Sequence, residues 1–189
     1  MNDQPTNRED TDREPPHPIV RRFDQIAPSV WIAPDAVVIG DVSIGRGSGI
    51  WFKAILRGDS DPIRVGDQTN IQDGSILHSD PGFPCQIGDR VTVGHAAIVH
   101  GATVESECLI GMRATLLNGV VIGRGSIVAA GALVTENTIV PPGSIVMGSP
   151  AKVRGEANAK HADMIRRGWT HYAELAERYR RPIDESGSR

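Results

Sequence analysis

Apolar residues fall six apart at Ile32, Val38, Ile44, Ile50 and Leu56, with small or branched Ala36, Val42, Ser48 and Ala54 four places after the first four. A helix would space its apolar positions by three and four, and a half-buried strand would alternate over one short run. A period of six sustained along most of a chain, with Gly45, Gly66, Gly88, Gly94, Gly111 and Gly123 following apolar positions, is the signature of a hexapeptide β-helix. Three hexads close one triangular coil, so residues eighteen apart stack on one face, on strands about 4.7–4.9 Å apart. The register continues through Val65, Ile71, Leu77, Ile87, Val93, Val99, Val104, Ile110, Leu116, Ile122, Val128, Val134, Val140 and Val146. It slips three times: the steps 56 to 65 and 77 to 87 exceed six by three and four residues, and the step 99 to 104 falls one short. The two long steps predict loops that bulge from corners.

Near Glu156 the period becomes helical, with Ile165, Trp169, Tyr172, Ala176 and Tyr179 at steps of four, three, four and three. An amphipathic helix packed along the prism is predicted, stabilised by burying Trp169 and its neighbours more than by intrinsic propensity. The organisation read from the chain is an N-terminal tail over 1–20, a β-helix over 21–155, the helix over 156–181 and a second tail over 182–189. The first tail is rich in Asp, Glu, Arg and Pro and too poor in apolar side chains to offset the entropy of ordering. The fold class is thus an all-β solenoid, a parallel β-helix of hexapeptide repeats with a C-terminal α-helix.

This winding fixes where the histidines point. His78 follows Leu77 and His100 follows Val99, so both face outward; their separation of twenty-two, less the four inserted residues, is one coil. Arg57 lies twenty-one before His78, less three inserted, and joins the same column. His95 lies five residues before His100, on the preceding face and around a corner. A second prism packed against that corner would bring its own His95 to the His78 and His100 of the first, and closed cyclic packing would repeat the site at each interface. Three imidazoles with one open position form the ligand set of a catalytic zinc ion. Such an ion lowers the pKa of its water to about 7, making hydroxide available at neutral pH. Gln72 follows an inward Ile71 on the face that carries His95, and Asp73 beside it is either a second-sphere acceptor or a turn-stabilising residue.

The runs Arg57-Gly58-Asp59, Asn70-Ile71-Gln72-Asp73-Gly74, Val93-Gly94-His95, His100-Gly101 and Leu109-Ile110-Gly111-Met112, with His78, resemble the γ-class carbonic anhydrase family over roughly residues 22 to 180. The resemblance implies a left-handed coil, a homotrimer with Zn2+ between subunits held by His78, His95 and His100, and carbon dioxide and bicarbonate as substrates. Fe2+ or Co2+ are alternative ions for three imidazoles. It also implies that Gln72 hydrogen-bonds the metal-bound water with Asn70 close by, and that Arg57 and Asp59 pair between subunits while helping to position the site. Tyr172 on the terminal helix is a candidate to reach the metal pocket.

Two features depart from the family's prototype. Ser60 stands after Asp59 where the prototype has an acid, and the loop from Ser79 to Gln86 is short, with Asp80 as its only acid. Losing both removes the obvious route for moving a proton to buffer, which predicts slow hydration. Hexapeptide-repeat acyltransferases share the coil, the terminal helix and the Gly148-Ser149-Pro150-Ala151-Lys152 type of ending, but use one His as general base with coenzyme A. Acyl-CoA thioester hydrolysis and a non-catalytic assembly subunit are further alternatives.

Composition narrows these readings little. At 189 residues with 4% aromatics and 21 Gly, the chain suits one domain built on layers of Ile, Val, Leu and Ala. A net charge of −3 without basic-aromatic clusters gives no case for nucleic acid. The sequence predicts no membrane span or secretory signal, and two unpatterned cysteines, Cys85 and Cys108, predict reduced thiols in a cytoplasmic protein.

Overall fold

The computed structural model describes residues 23–180; the tails expected at 1–20 and 182–189 lie outside the described residues. The chain winds as a left-handed parallel β-helix of about six coils, followed by one helix. Its three faces are three parallel ladders. Ile32, Ile50, Ile71, Val93, Ile110, Val128 and Val146 stack on the first. Val38, Leu56, Leu77, Val99, Leu116 and Val134 stack on the second. Ile44, Val65, Ile87, Val104, Ile122 and Val140 stack on the third. From Ile44 onward every inward residue of the six-residue register is at most 4% exposed, so each coil contributes three aliphatic side chains, each worth about 1.5–3 kcal/mol on burial.

Each irregular step lies at a corner. Val37–Ile44 and Ile55–Val65 both run around an edge of the prism, pairing as Gly40 with Gly58 and then as Val42 with Ile63, so the extra residues of the first insertion bulge between them. The second insertion follows His78 and folds back against the first: Ser79 Oγ donates to Asp61 O at 2.5 Å, and Gly82 N donates to Asp61 Oδ2 at 2.9 Å. The short step turns at Gly101, whose φ of +57° and close approach to the Asn118 carboxamide and Phe83 leave no room for a Cβ. At another edge, buried hydroxyls link one coil to the next: Ser48 Oγ donates to Gly66 O at 2.8 Å and accepts from Thr69 N at 3.0 Å, and Thr69 Oγ1 repeats the pattern with Gly88 O and Val91 N. The groups that a turn would orphan are thereby paired inside the stack.

Ser144–Gly148 and Ala151–Glu156 pair antiparallel and close the last coil, a hairpin that the six-residue period does not announce. The helix runs Ala159–Arg180, starting where Asn158 Oδ1 accepts from Lys160 N at 3.0 Å and His161 N at 3.3 Å. It lies along the first face, burying Ile165 and Ala176. Trp169, expected to anchor it, is only half-buried and stands outside the aromatic cluster. The prism instead supplies the anchors: Trp31 and Trp51 stack with ring centroids 4.6 Å apart, Tyr172 meets Trp51 at 5.1 Å, and Tyr179 meets Trp31 at 5.0 Å. Among the described residues no helix is long and apolar enough to cross a membrane.

Candidate metal centre

Arg57, His78 and His100 occupy one column, pairing in register as Arg57 with His78 and His78 with His100. The two imidazole centroids are 5.2 Å apart. His78 Nε2 lies 2.8 Å from Arg57 Nη2, and a guanidinium can only donate, so Nε2 accepts and the ring hydrogen sits on Nδ1. That hydrogen is donated to Arg57 O at 2.7 Å. His100 is fixed by Asn118, whose Nδ2 donates to Asp80 Oδ2 at 2.8 Å, leaving Oδ1 to accept from His100 Nδ1 at 2.9 Å.

His95 stands apart on the preceding face. Its Nδ1 lies 2.7 Å from Asp73 Oδ2, a carboxylate that can only accept, which places the ring hydrogen on Nδ1, and its Nε2 then accepts from the Tyr172 hydroxyl at 3.3 Å. Burial and the charge of Asp73 both raise the Tyr172 pKa, so the hydroxyl keeps the proton that it donates. The backbone N–H of His95 donates to Gln72 Oε1 at 3.2 Å, and Gln72 Nε2 donates to Asn70 Oδ1 at 3.1 Å. Asn70 in turn donates to Thr92 Oγ1 at 3.0 Å. Gln72 and Asn70 are 5% and 2% exposed, so their amides are braced from below. A groove of about 410 Å³ beside them is lined by Gln72, His95, Met112 and Met164.

In all three histidines Nδ1 faces a protein acceptor and the lone pair sits on Nε2, the tautomer that ligation through Nε2 uses, with Arg57 over that of His78 and Tyr172 over that of His95. Such a donor set fits a borderline divalent ion. Within one chain, however, the described residues that could share an ion are His78, Asp80 and His100, with His95 outside that group.

Arg57 and Asp59, expected to pair between subunits, close on each other within the single chain: Arg57 Nη1 donates to Asp59 Oδ1 at 2.9 Å and Oδ2 at 2.8 Å. Burial is the largest single influence on Asp59 and raises its pKa, but the hydrogen bond and charge of Arg57, with smaller help from the backbone and His78, together outweigh it and hold the carboxyl below the usual range. Asp73 was legible only as one of two options, and the structure places its carboxylate 2.7 Å from His95 Nδ1 while its carbonyl accepts from Ala96 N. Asn118 went unread. It lies eighteen residues after His100, but the shortened step makes that coil seventeen residues long, so the column position falls to Leu117 and Asn118 sits at the corner just past it.

Residues 101–136 match the bacterial transferase hexapeptide (six repeats) family model. The chain is 47% identical over 153 residues to gamma carbonic anhydrase 1, mitochondrial, of Arabidopsis thaliana, covering 78% of this chain and 56% of that protein. It thus spans little more than half the length of that relative. To the carbonic anhydrase of Geobacillus kaustophilus it is 45% identical over 164 residues, covering 87% of this chain and 90% of the relative. Among solved structures, a hexapeptide transferase family protein from Anaplasma phagocytophilum superimposes with a TM-score of 0.79 at 35% identity, covering 82% of this chain and 92% of the other. A coil register that stacks His78 on His100, ligand-ready imidazoles on two adjacent faces and this degree of identity lead to one assignment: the chain belongs to the γ-class carbonic anhydrase family.

Proposed function

We propose that this protein is a carbonic anhydrase-like lyase that interconverts carbon dioxide and bicarbonate at a metal site shared between subunits of a homotrimer. The observation that carries the reading is the common arrangement of His78, His95 and His100, each with Nδ1 against a protein acceptor and the lone pair on Nε2; that of His100 is open, and Arg57 and Tyr172 would swing off those of His78 and His95 as an ion binds. One chain holds His78 and His100 on one face and His95 around the corner, so a three-imidazole set requires a neighbour's His95. Bound zinc supplies Lewis acidity that lowers the pKa of a coordinated water to about 7. Iron or cobalt would suit the same donors.

The chain's own residues do the rest. Asp73 and Asn118 hold the His95 and His100 rings in plane. Gln72 has one amide hydrogen committed to Asn70 and a second left to orient water or substrate in the groove beside His95. Asn70 positions Gln72 rather than touching substrate. Arg57 and Asp59, both nearly half-exposed, are free to exchange their mutual pair for one across an interface and to attract bicarbonate. The corner loop after His78 brings one acid, Asp80, so proton export relies on buffer reaching the groove, and hydration is slow. Two buried free thiols suit a cytoplasmic setting.

The family-model match and the transferase neighbour favour a second reading, acyl transfer from coenzyme A. A general base would need one imidazole with a proton-accepting nitrogen facing substrate, not three prepared alike. Metal analysis with stopped-flow hydration separates them: the proposal requires one ion per subunit and hydration lost in His95→Ala. A chain without metal, or acetyl transfer that survives chelation, would contradict it.

A further inference from the structure

His78, Asp80 and His100 each offer one ligand atom, and the three atoms lie within 4.8 Å of one another in a single chain. The loop carrying Asp80 is held in place. The Asp80 carbonyl accepts from Phe83 N at 2.8 Å, and Gly82 is tied to Asp61. Phe83 packs against Gly101 and Gly119, the corner glycines on either side of the His100–Asn118 pair. One amide then sets two ligands at once: Asn118 Nδ2 grips Asp80 Oδ2 at 2.8 Å while its Oδ1 takes the Nδ1 hydrogen of His100 at 2.9 Å. This leaves Asp80 Oδ1 facing His100 Nε2 at 3.9 Å, a separation that an ion bonded to both would span at ordinary ligand distances of about 2.0–2.2 Å.

We propose that Asp80 is a metal ligand of the unassembled chain. With His78 and His100 it forms a two-histidine, one-carboxylate set that captures a divalent ion before a neighbour's His95 reaches it, and it yields its place when that imidazole arrives. The inference rests on the reading that His78 and His100 ligate the ion. It adds an order of events: metal is loaded by one chain and completed by two. The guanidinium of Arg57 covers His78 Nε2 at 2.8 Å and is 44% exposed, so it has room to swing off as the ion binds. A carboxylate with two imidazoles on one side leaves open positions, the arrangement favoured by Fe2+ and tolerated by Co2+ and Zn2+. His95 in the same chain cannot substitute, because it points to Tyr172 on the other side of the corner.

The test is Co2+ binding to full-length chains, followed by titration and by the visible d–d spectrum, with oligomeric state and thermal unfolding recorded for every variant. Four proteins are compared: wild type, His95→Ala, Asp80→Asn with His95→Ala, and His78→Ala. The Asn keeps the side-chain shape and an oxygen for Asn118. His95→Ala is expected to bind one Co2+ per chain, about 10–100-fold more weakly than wild type, and adding Asp80→Asn is expected to cost at least another tenfold and to change the spectrum. Equal affinity and spectrum with and without Asp80 in the His95→Ala background would overturn the inference. So would His95→Ala that binds nothing while wild type binds, a result that leaves the shared site intact. Wild type that binds no Co2+ would remove both the inference and the functional reading, and His78→Ala that binds like wild type would do the same.

Discussion

Each of the three histidines proposed as ligands has Nδ1 against one acceptor, and the acceptors differ in kind: a backbone carbonyl for His78, the Asp73 carboxylate for His95 and the Asn118 carboxamide for His100. The carboxylate is the most exposed to test. Asp73→Asn keeps a hydrogen-bond acceptor but loses the charge that favours a well-oriented ligand, and should weaken metal affinity about 10–100-fold with little change in thermal stability. Titration with a chromophoric chelator reads this directly, and an affinity within twofold of wild type would show that Asp73 serves the turn alone. The column of Arg57, His78 and His100 was legible because coil arithmetic needs only the inward register and the size of two insertions. Asp73 and Asn118 were harder to read because a hydrogen bond depends on side-chain torsions and on how tightly a corner turns, neither of which leaves a mark in the spacing.

The coils depend on backbone passing close to backbone. A Cβ at Gly111 would collide with the main chain of Ala129 and Ala130 one coil on, whereas one at Gly155 would meet nothing within 4 Å. Gly111→Ala should therefore destabilise the prism by several kcal/mol and Gly155→Ala by less than about 0.5 kcal/mol, as measured by urea unfolding. The core also carries a pH signature. Complete burial pushes the Cys85 thiol up to about 12, well above the ordinary range of a cysteine. Its folded value lies above its unfolded one, so its contribution is fully present below pH 9 and is lost as pH rises towards 12. Unfolding free energy should fall by about 1.4 kcal/mol per pH unit for that thiol in this window. Cys85→Ala should flatten the alkaline limb; an unchanged slope would mean that the thiol is not sealed. The terminal helix shows where periodicity misleads: its stripe was read correctly as Ile165, Tyr172 and Ala176, but Trp169 gave way to Trp31 and Trp51 because a helical period reports which face is apolar and not which partner faces it.

At the scale of the molecule, a β-helix with chemistry at one corner gathers ligands only by placing another copy beside it. The repeat made the prism legible, and the histidine positions made the need for a neighbour legible. The C-terminal hairpin of Ser144–Gly148 and Ala151–Glu156 was not, because a reversal of chain direction leaves the inward Val146 in register and shows only as prolines and glycine. The exposed Arg57–Asp59 pair predicts a salt-sensitive assembly. Arg57→Ala should shift the proposed trimer towards monomer in analytical ultracentrifugation at low protein concentration, and an unaltered distribution would confine Arg57 to its own chain.

Mixed assembly tests the shared site most directly. His95→Ala chains keep His78 and His100 with Asp80, and His78→Ala chains keep His95, so each alone should hold zinc more weakly than wild type and lose it to a chelator concentration that leaves wild type loaded. Unfolded and refolded together in equal amounts, they should form mixed trimers that retain zinc at about one quarter of the wild-type content per chain, the share of interfaces pairing an intact His78 with an intact neighbouring His95. Mixed trimers that retain none under that chelator, or His95→Ala chains that keep a full complement against it on their own, would contradict a metal held between subunits.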